Sequence, residues 1–517
     1  MCYPLPVMKN ILHLICVSAL SAILYTGCGQ RAERTPGELI VALQADAATL
    51  DPHAAADAAA MRMLENVYSA LYRHSSVYGE IEPDLVHDTE ISEDGLVYTF
   101  HLREDVRFHS GRPLDADDVV WSLNRIREEG MRADQLDAID EIEAADAHTV
   151  RVTLHRPHAP LRTALAHPMS AILDREALED ADNRFDRAQA GSGPFRLVEW
   201  RRGRHLILEA NDAYYEEGLP KLNRIIFRPV SDATAANTAL RNGEIDLILD
   251  LNPREISRLQ EVEGITVRTK PGTFWEYIGL NTRVPPLDDP RVRQAIAHAI
   301  DRDALAEMVK FGHATPLTGG HIPDIHPAHT DLELYPARDL ATARTLLAEA
   351  GFGDGLHLTC IVGSEFDYQV QAAQVIKQQL LDVGIDVTVN ALESGIFFNR
   401  LGDKDFEMSV VGWLGFVDAD EWTRDLFHTR GAYNQQQYSN PEVDSLLDRA
   451  REEADFDTRM ALYREAQEMI AQEAPMVFLY INDLAAAHTD ALRDFELHPT
   501  LTTLSLRKAR LERGMAE

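Results

Sequence analysis

An α/β fold is predicted by three stretches in which apolar runs of strand length alternate with runs of helical period. In the clearest, residues 224–230 read as a strand, 231–242 as a capped helix closed by Gly243, and 244–249 as another strand. Strand, helix and strand at this length form a βαβ crossover, which implies a parallel pair. In the second, a helix over 339–350 ends at Gly351, and another over 367–383 ends at Gly384 before the alternating strand 385–389. In the third, the apolar run 38–43 precedes an Ala-rich helical pattern over 54–71.

The remaining elements follow from local chemistry. Residues 98–103 and 106–108 are strand-like and lead into a turn over 109–113. Asp115 then caps a helix through Val119, Val120, Leu123 and Ile126, with Asp118 where the acid of a capping box sits. Asp288-Asp289-Pro290 supplies a cap and a first-turn proline, after which Val292, Ala295, Ile296 and Ala299 recur at helical spacing. The strand-like run 356–362 carries Cys360, whose simplest role is a small buried apolar residue.

A chain of 517 residues calls for roughly three domain-scale units. Its 50 Lys and Arg against 84 Asp and Glu, a net charge of −34, would repel polyanions and exclude nucleic acid as a partner. The excess acid fits a solvated surface kept for solubility; an acidic funnel for a cationic ligand is the alternative. Three of the four cysteines, Cys2, Cys16 and Cys28, crowd the amino end, leaving Cys360 with no disulfide partner in the body of the chain.

The amino end has the form of a signal peptide over 1–27: Lys9, an apolar run over 11–25, then small residues. Met8 is a second candidate start. The stretch Leu24-Tyr25-Thr26-Gly27-Cys28 resembles a bacterial lipobox, in which Cys28 would carry lipid, although leucine stands four residues before the cysteine instead of three. Residues 28–37 would then be a lipid-anchored linker, polar and flexible, at a membrane surface outside the cytoplasm.

The segment Asp94-Gly-Leu-Val-Tyr-Thr-Phe-His-Leu-Arg103, followed by Phe108-His-Ser-Gly-Arg-Pro-Leu-Asp-Ala-Asp-Asp-Val-Val-Trp-Ser-Leu123, resembles the signature of the oligopeptide-, dipeptide- and nickel-binding receptors of ATP-binding-cassette importers, solute-binding family 5. Further similar segments keep the same order, among them Leu50-Asp-Pro-His53, Gly191-Ser-Gly-Pro-Phe195, Asp289-Pro-Arg-Val-Arg-Gln-Ala-Ile296 and Ala474-Pro-Met-Val-Phe-Leu-Tyr480. The resemblance implies a two-lobed periplasmic-binding-protein fold, type II-like, with an additional third domain. Carried onto this chain, the first lobe takes 38–80, 190–272 and 483–510, the additional domain 81–189, and the second lobe 273–482. Crossings near 273–281 and 480–485 would be hinges. The implied partners are a peptide or peptide-like solute and a membrane permease with its ATPase; a nickel chelate, an amino-blocked peptide or presentation to a membrane sensor is the alternative.

In the peptide-binding members an aspartate three residues after a Gly-Trp of the second lobe pairs with the solute's ammonium. Here Gly412-Trp413 leads to Phe416 at that position, so the resemblance implies that this anchor is missing. Asp418 and Asp420 lie just beyond and are open to two readings, counter-charge for the solute or, for Asp418, the cap of a helix containing Trp422. Phe274, Trp275 and Tyr277 lie on the first crossing, where relatives place aromatic rings against solute; strand alternation puts Trp275 and Tyr277 on one side and Phe274 on the other, so one set at most faces a cleft. Asp46, Tyr433 and Asn434 are candidates by the same positional resemblance. His321, His326 and His329, with Asp324 and Asp331, form a loop cluster whose irregular spacing argues against a metal, and no metal or cofactor is expected. Neither His-Glu-x-x-His nor Gly-x-Ser-x-Gly occurs, which argues against a hydrolase.

Overall fold

The computed structural model of the chain describes residues 35–55, 57–415 and 417–512, so the expected signal peptide over 1–27, Cys28 and Phe416 lie outside the described residues. The architecture is mixed α/β around one large sheet whose eleven strands are β1 (Glu38–Leu43), β2 (Phe195–Arg201), β3 (His205–Ala210), β4 (Arg224–Pro229), β5 (Leu247–Ile248), β6 (Ile265–Leu280), β7 (Ala314–Pro316), β8 (Leu356–Gly363), β9 (Ile385–Leu392), β10 (Met408–Leu414) and β11 (Met476–Thr489). Their order is β9-β8-β10-β6-β11-β5-β1-β4-β3-β2, with β7 beside β11.

The two long strands, β6 and β11, run antiparallel through both halves of this sheet. Their register holds from Ile265↔Thr489 to Pro271↔Asp483, breaks, and resumes at Trp275↔Ile481. Pro271 has no N–H for the ladder, and a Cβ on Gly272 would come within 2.6 Å of the Asn482 carbonyl oxygen. The break therefore falls where the chain crosses between halves.

Strand β1 explains its own unbroken apolar run. Leu39, Val41 and Leu43 pack into one core cluster and Ile40 and Ala42 into another, so both faces are covered, as parallel strands require. The βαβ reading of 224–249 needs one correction: β4 and β5 each pair with β1 in parallel, and β1 lies between them. A separate four-stranded antiparallel sheet, Val86–Ile91, Val97–Leu102, Thr149–Leu154 and Ile139–Asp146 in spatial order, packs against the helix Ala116–Glu129. Both halves of the Asp115–Asp118 capping box are present at that helix. Cys360 is buried and unbridged.

The helix read over 54–71 is shorter, Ala58–Leu64, started by Asp57 accepting from the Ala60 amide at 2.7 Å. It stops because the carbonyls of Asn66 and Val67 turn outward to accept from the amides of Phe195 and Gly193, both at 2.9 Å. The Gly193 carbonyl in turn accepts from Asn211 Nδ2 and contacts His109 Nε2, each at 3.0 Å. This is the physical use of Gly191-Ser-Gly-Pro-Phe195: bare backbone lying against bare backbone. A Cβ on Gly193 would sit 2.7 Å from the Val67 carbonyl carbon and 2.9 Å from the Asn66 oxygen, and neither can retreat. Gly193→Ala is expected to cost about 1–3 kcal/mol, read as a lower urea midpoint at unchanged slope; an unchanged midpoint would refute this packing argument.

Candidate functional site

Strands β6 and β10 face each other residue for residue, Phe274↔Leu414, Trp275↔Trp413, Glu276↔Gly412 and Tyr277↔Val411. Trp275 and Tyr277 lie together, ring centroids 4.9 Å apart, in a core closed by His321 and Phe478. Phe274 takes the other face, half-buried, edge-on to Tyr368 at 6.4 Å and lying over Gly412, which has no side chain to block it. Beside it Glu276 is fully buried, ion-paired to Lys310 at 2.5 Å and hydrogen-bonded by Tyr480 at 2.7 Å and Asn482 at 3.0 Å.

Trp413 is half-buried, donates its indole N–H to the Glu421 carbonyl at 3.1 Å and meets the edge of Tyr433 at 4.9 Å. Asn434 is a brace: its amide bonds the His428 and Tyr438 carbonyls at 3.1 and 2.7 Å. Asp46 accepts from Trp200 Nε1 at 3.2 Å and the Gly203 amide at 2.7 Å, tying the loop after β1 to the β2–β3 hairpin. The three loop histidines point to separate partners: His321 to Thr423 at 3.2 Å, His326 to the Val417 carbonyl at 3.0 Å, His329 to the Ile322 carbonyl at 2.7 Å. No group of three metal-ligating side chains converges among the described residues.

Asp418 caps the helix Ala419–Phe427 by accepting from the Asp420 amide at 2.9 Å, and its carboxylate is held by the buried Arg459, one bond at 3.0 Å. Asp420 is fully buried against Arg451 at 2.8 Å and Tyr463 at 3.1 Å. Burial alone would raise the Asp420 carboxyl, but the Arg451 guanidinium overrides it and holds the group below its ordinary range. A solute ammonium would have to displace an arginine from either acid.

The open space lies elsewhere. A cavity of about 290 Å³, counting space open to solvent, forms between the helix Ala58–Leu64 of one half and Leu414 of the other, with Met61, Arg62, Glu65, His74 and Leu501 among its walls. A second space of about 330 Å³ adjoins it, sharing Glu65, His74 and Pro168. Of the residues singled out from sequence none lines it; Leu414, next to Trp413, does. Arg62 is ion-paired with Asp250, one bond at 2.8 Å, and donates to the Leu501 carbonyl at 3.3 Å. Burial drives the His74 imidazole down to about 3, so it is neutral. The sequence signal was present in one respect: Arg62 and Glu65 are charges inside an apolar run, and buried charges need partners.

The segment from 132 to 159 is tied to the half that carries Leu414. Arg132 pairs with Glu421 at 2.5 Å, Gln135 donates to Asp425 at 3.0 Å, and the Ala159 amide bonds the Arg451 carbonyl at 2.8 Å. Burial, reinforced by Asp420 and Asp134, pushes the Asp425 carboxyl up to about 8. Among the described residues no helix is long and apolar enough to cross a membrane.

Comparison with known proteins gives one consistent picture. The profile described as bacterial extracellular solute-binding proteins, family 5, middle region, matches residues 80–435. The glutathione-binding protein GsiB of Escherichia coli (strain K12) is 30% identical over 475 residues, 89% of this chain and 92% of that protein. The periplasmic binding protein DppA from Helicobacter pylori, solved with the peptide STSA, superposes with a TM-score of 0.82 at 29% identity, covering 93% of this chain and 99% of its own. AgaA from A. tumefaciens R10, solved with agropinic acid, gives a TM-score of 0.83 at 26% identity over 92% and 99% of the two chains.

The Asp418–Arg459 pair yields a stability test independent of any ligand. Arg459→Ala leaves a buried carboxylate uncompensated, with an expected loss of about 3–5 kcal/mol in chemical unfolding. A loss below about 1 kcal/mol would mean that Asp418 is free to serve another partner.

Proposed function

This chain belongs to the bacterial extracellular solute-binding proteins of family 5, and from that membership we propose that it traps a small peptide-like solute in the interlobe cavity and delivers it to an ABC permease. One observation carries the assignment of the site: the space between Leu414 of one half and the helix bearing Arg62 and Glu65 of the other. Relatives that bind glutathione and a tetrapeptide support the same class.

The proposed lobes are 38–80, 190–272 and 483–510 for the first and 273–482 for the second, with 81–189 as the additional domain. The register break between Pro271 and Trp275 supports a hinge there, and the Arg132–Glu421 contact supports a role for the additional domain in holding the closed state. Binding strength then depends on how much more contact the solute makes in the closed form.

At the amino end we propose export followed by lipidation of Cys28, which would concentrate the receptor at the membrane that holds its permease. Wild type is expected in the detergent phase after Triton X-114 partition and Cys28→Ala in the aqueous phase; equal partition would exclude the anchor.

The binding function is tested by thermal shift with glutathione and the peptide STSA. A solute present at 100 times its dissociation constant stabilises the native state by about 2.7 kcal/mol, which raises the midpoint measurably. No rise with either compound at millimolar concentration would remove the peptide-like class.

A further inference from the structure

Glu65 terminates the helix Ala58–Leu64, is 5% exposed, and lines both adjoining spaces. Its oxygens accept from the Thr502 hydroxyl, the Thr503 amide and the Thr503 hydroxyl, the last at 2.7 Å. Among the described residues no basic side chain forms an ion pair with it. A carboxylate has about four acceptor positions. Three are taken, which leaves one for a donor in the cavity.

The charges around it give the sign of that donor. Arg62, one turn earlier, is engaged in a bidentate contact with Asp250, although its charge still favours the ionised form of Glu65. His74, across the cavity and stacked on His498 at 6.5 Å, is neutral. Arg73 and Asp84, which border the adjoining space, belong to a network in which Arg73 and Arg507 meet Glu82, Asp84 and Glu216. Leu414 brings no charge from the other half. The ionised Glu65 is thus a buried anion held by three hydrogen bonds and favoured by the Arg62 charge, but ion-paired to no base, so a cation arriving in the cavity would favour it further.

We propose that Glu65 is the counter-ion for the free ammonium group of the solute, so that amino-end recognition comes from the first half of the molecule and not from the strand carrying Trp413. This rests on the cavity being the solute site. The Thr502–Thr503 loop fixes the carboxylate in advance, so little ordering is needed when the ammonium binds. Burial holds the unliganded Glu65 carboxyl up to about 7. An ammonium needs it ionised, so affinity is full above that value and falls as pH drops through it.

Isothermal titration of the purified protein with STSA and glutathione, each free and N-acetylated, at pH 7 and pH 5, decides the matter, alongside Glu65→Gln with its thermal midpoint recorded. Expected are a loss of at least about tenfold on acetylation and of at least about tenfold from pH 7 to pH 5 in wild type, both abolished in Glu65→Gln. If folded Glu65→Gln still separates free from acetylated ligand, the anchor is another residue while the solute class stands. If wild type binds acetylated and free ligand equally at pH 7, the ammonium is not recognised at all, a result that needs no variant to fold. If wild type binds none of the four compounds, the proposal falls together with the functional reading beneath it.

Discussion

The pairing of β6 with β11 is the constraint on which the rest of the molecule depends. Two strands of 16 and 14 residues belong to both halves of the large sheet, so each half borrows its central ladder from the other. Continuous hydrogen bonding would make one rigid slab. The break at Pro271–Trp275 interrupts the ladder between the halves, and the buried cluster of Glu276, Lys310, Tyr480 and Asn482 stands where it resumes. A buried ion pair offsets its desolvation only when the remaining lone pairs are also satisfied. Tyr480 and Asn482 do this for Glu276, both from β11, so the ion pair fastens the two shared strands to each other and to the helix that carries Lys310.

That geometry also determines which aromatic face the core covers. Alternation alone separates Phe274 from Trp275 and Tyr277, and it does so correctly. It cannot say which side is covered. The answer lies in the packing beyond the strands: the Trp275 face is buried by His321, Phe427 and Phe478 from segments 46 to 203 residues further along the chain, while the Phe274 face meets Tyr368 and lies over Gly412. The larger aromatic payload went to the core, where rings bury most area.

Features governed by neighbours in sequence were legible to within a few residues: the Asp115 capping box, the Pro290 helix start, the doubly buried β1. Errors arose where a distant segment supplied the partner. The helix read over 54–71 ends early because Gly191–Phe195 takes its carbonyls, and the expected strand pair 224–249 is split by β1 inserting between. The cavity was the least legible part. Arg62 meets Asp250 188 residues later, and Glu65 meets Thr502 and Thr503 more than 430 residues later. A charge in an apolar run signals that a partner exists, not where it is. Resemblance directed attention to the Trp413 strand, whose neighbouring acids are committed to Arg459 and Arg451.

The overall charge of −34 and the charge of the cavity are separate quantities. At physiological salt the Debye length is about 8 Å, so surface acids are largely screened from one another and add little inside a closed cleft. Within the cavity water is scarce and screening is weak. One buried carboxylate there without an ion-pair partner has more influence on which solute binds than dozens on the surface. Its effect also depends on burial: Glu65 is 5% exposed, on a space that Leu414 of the other half also lines. An ammonium at that position would gain most in the closed form, the differential affinity that a hinged receptor needs in order to sense its solute.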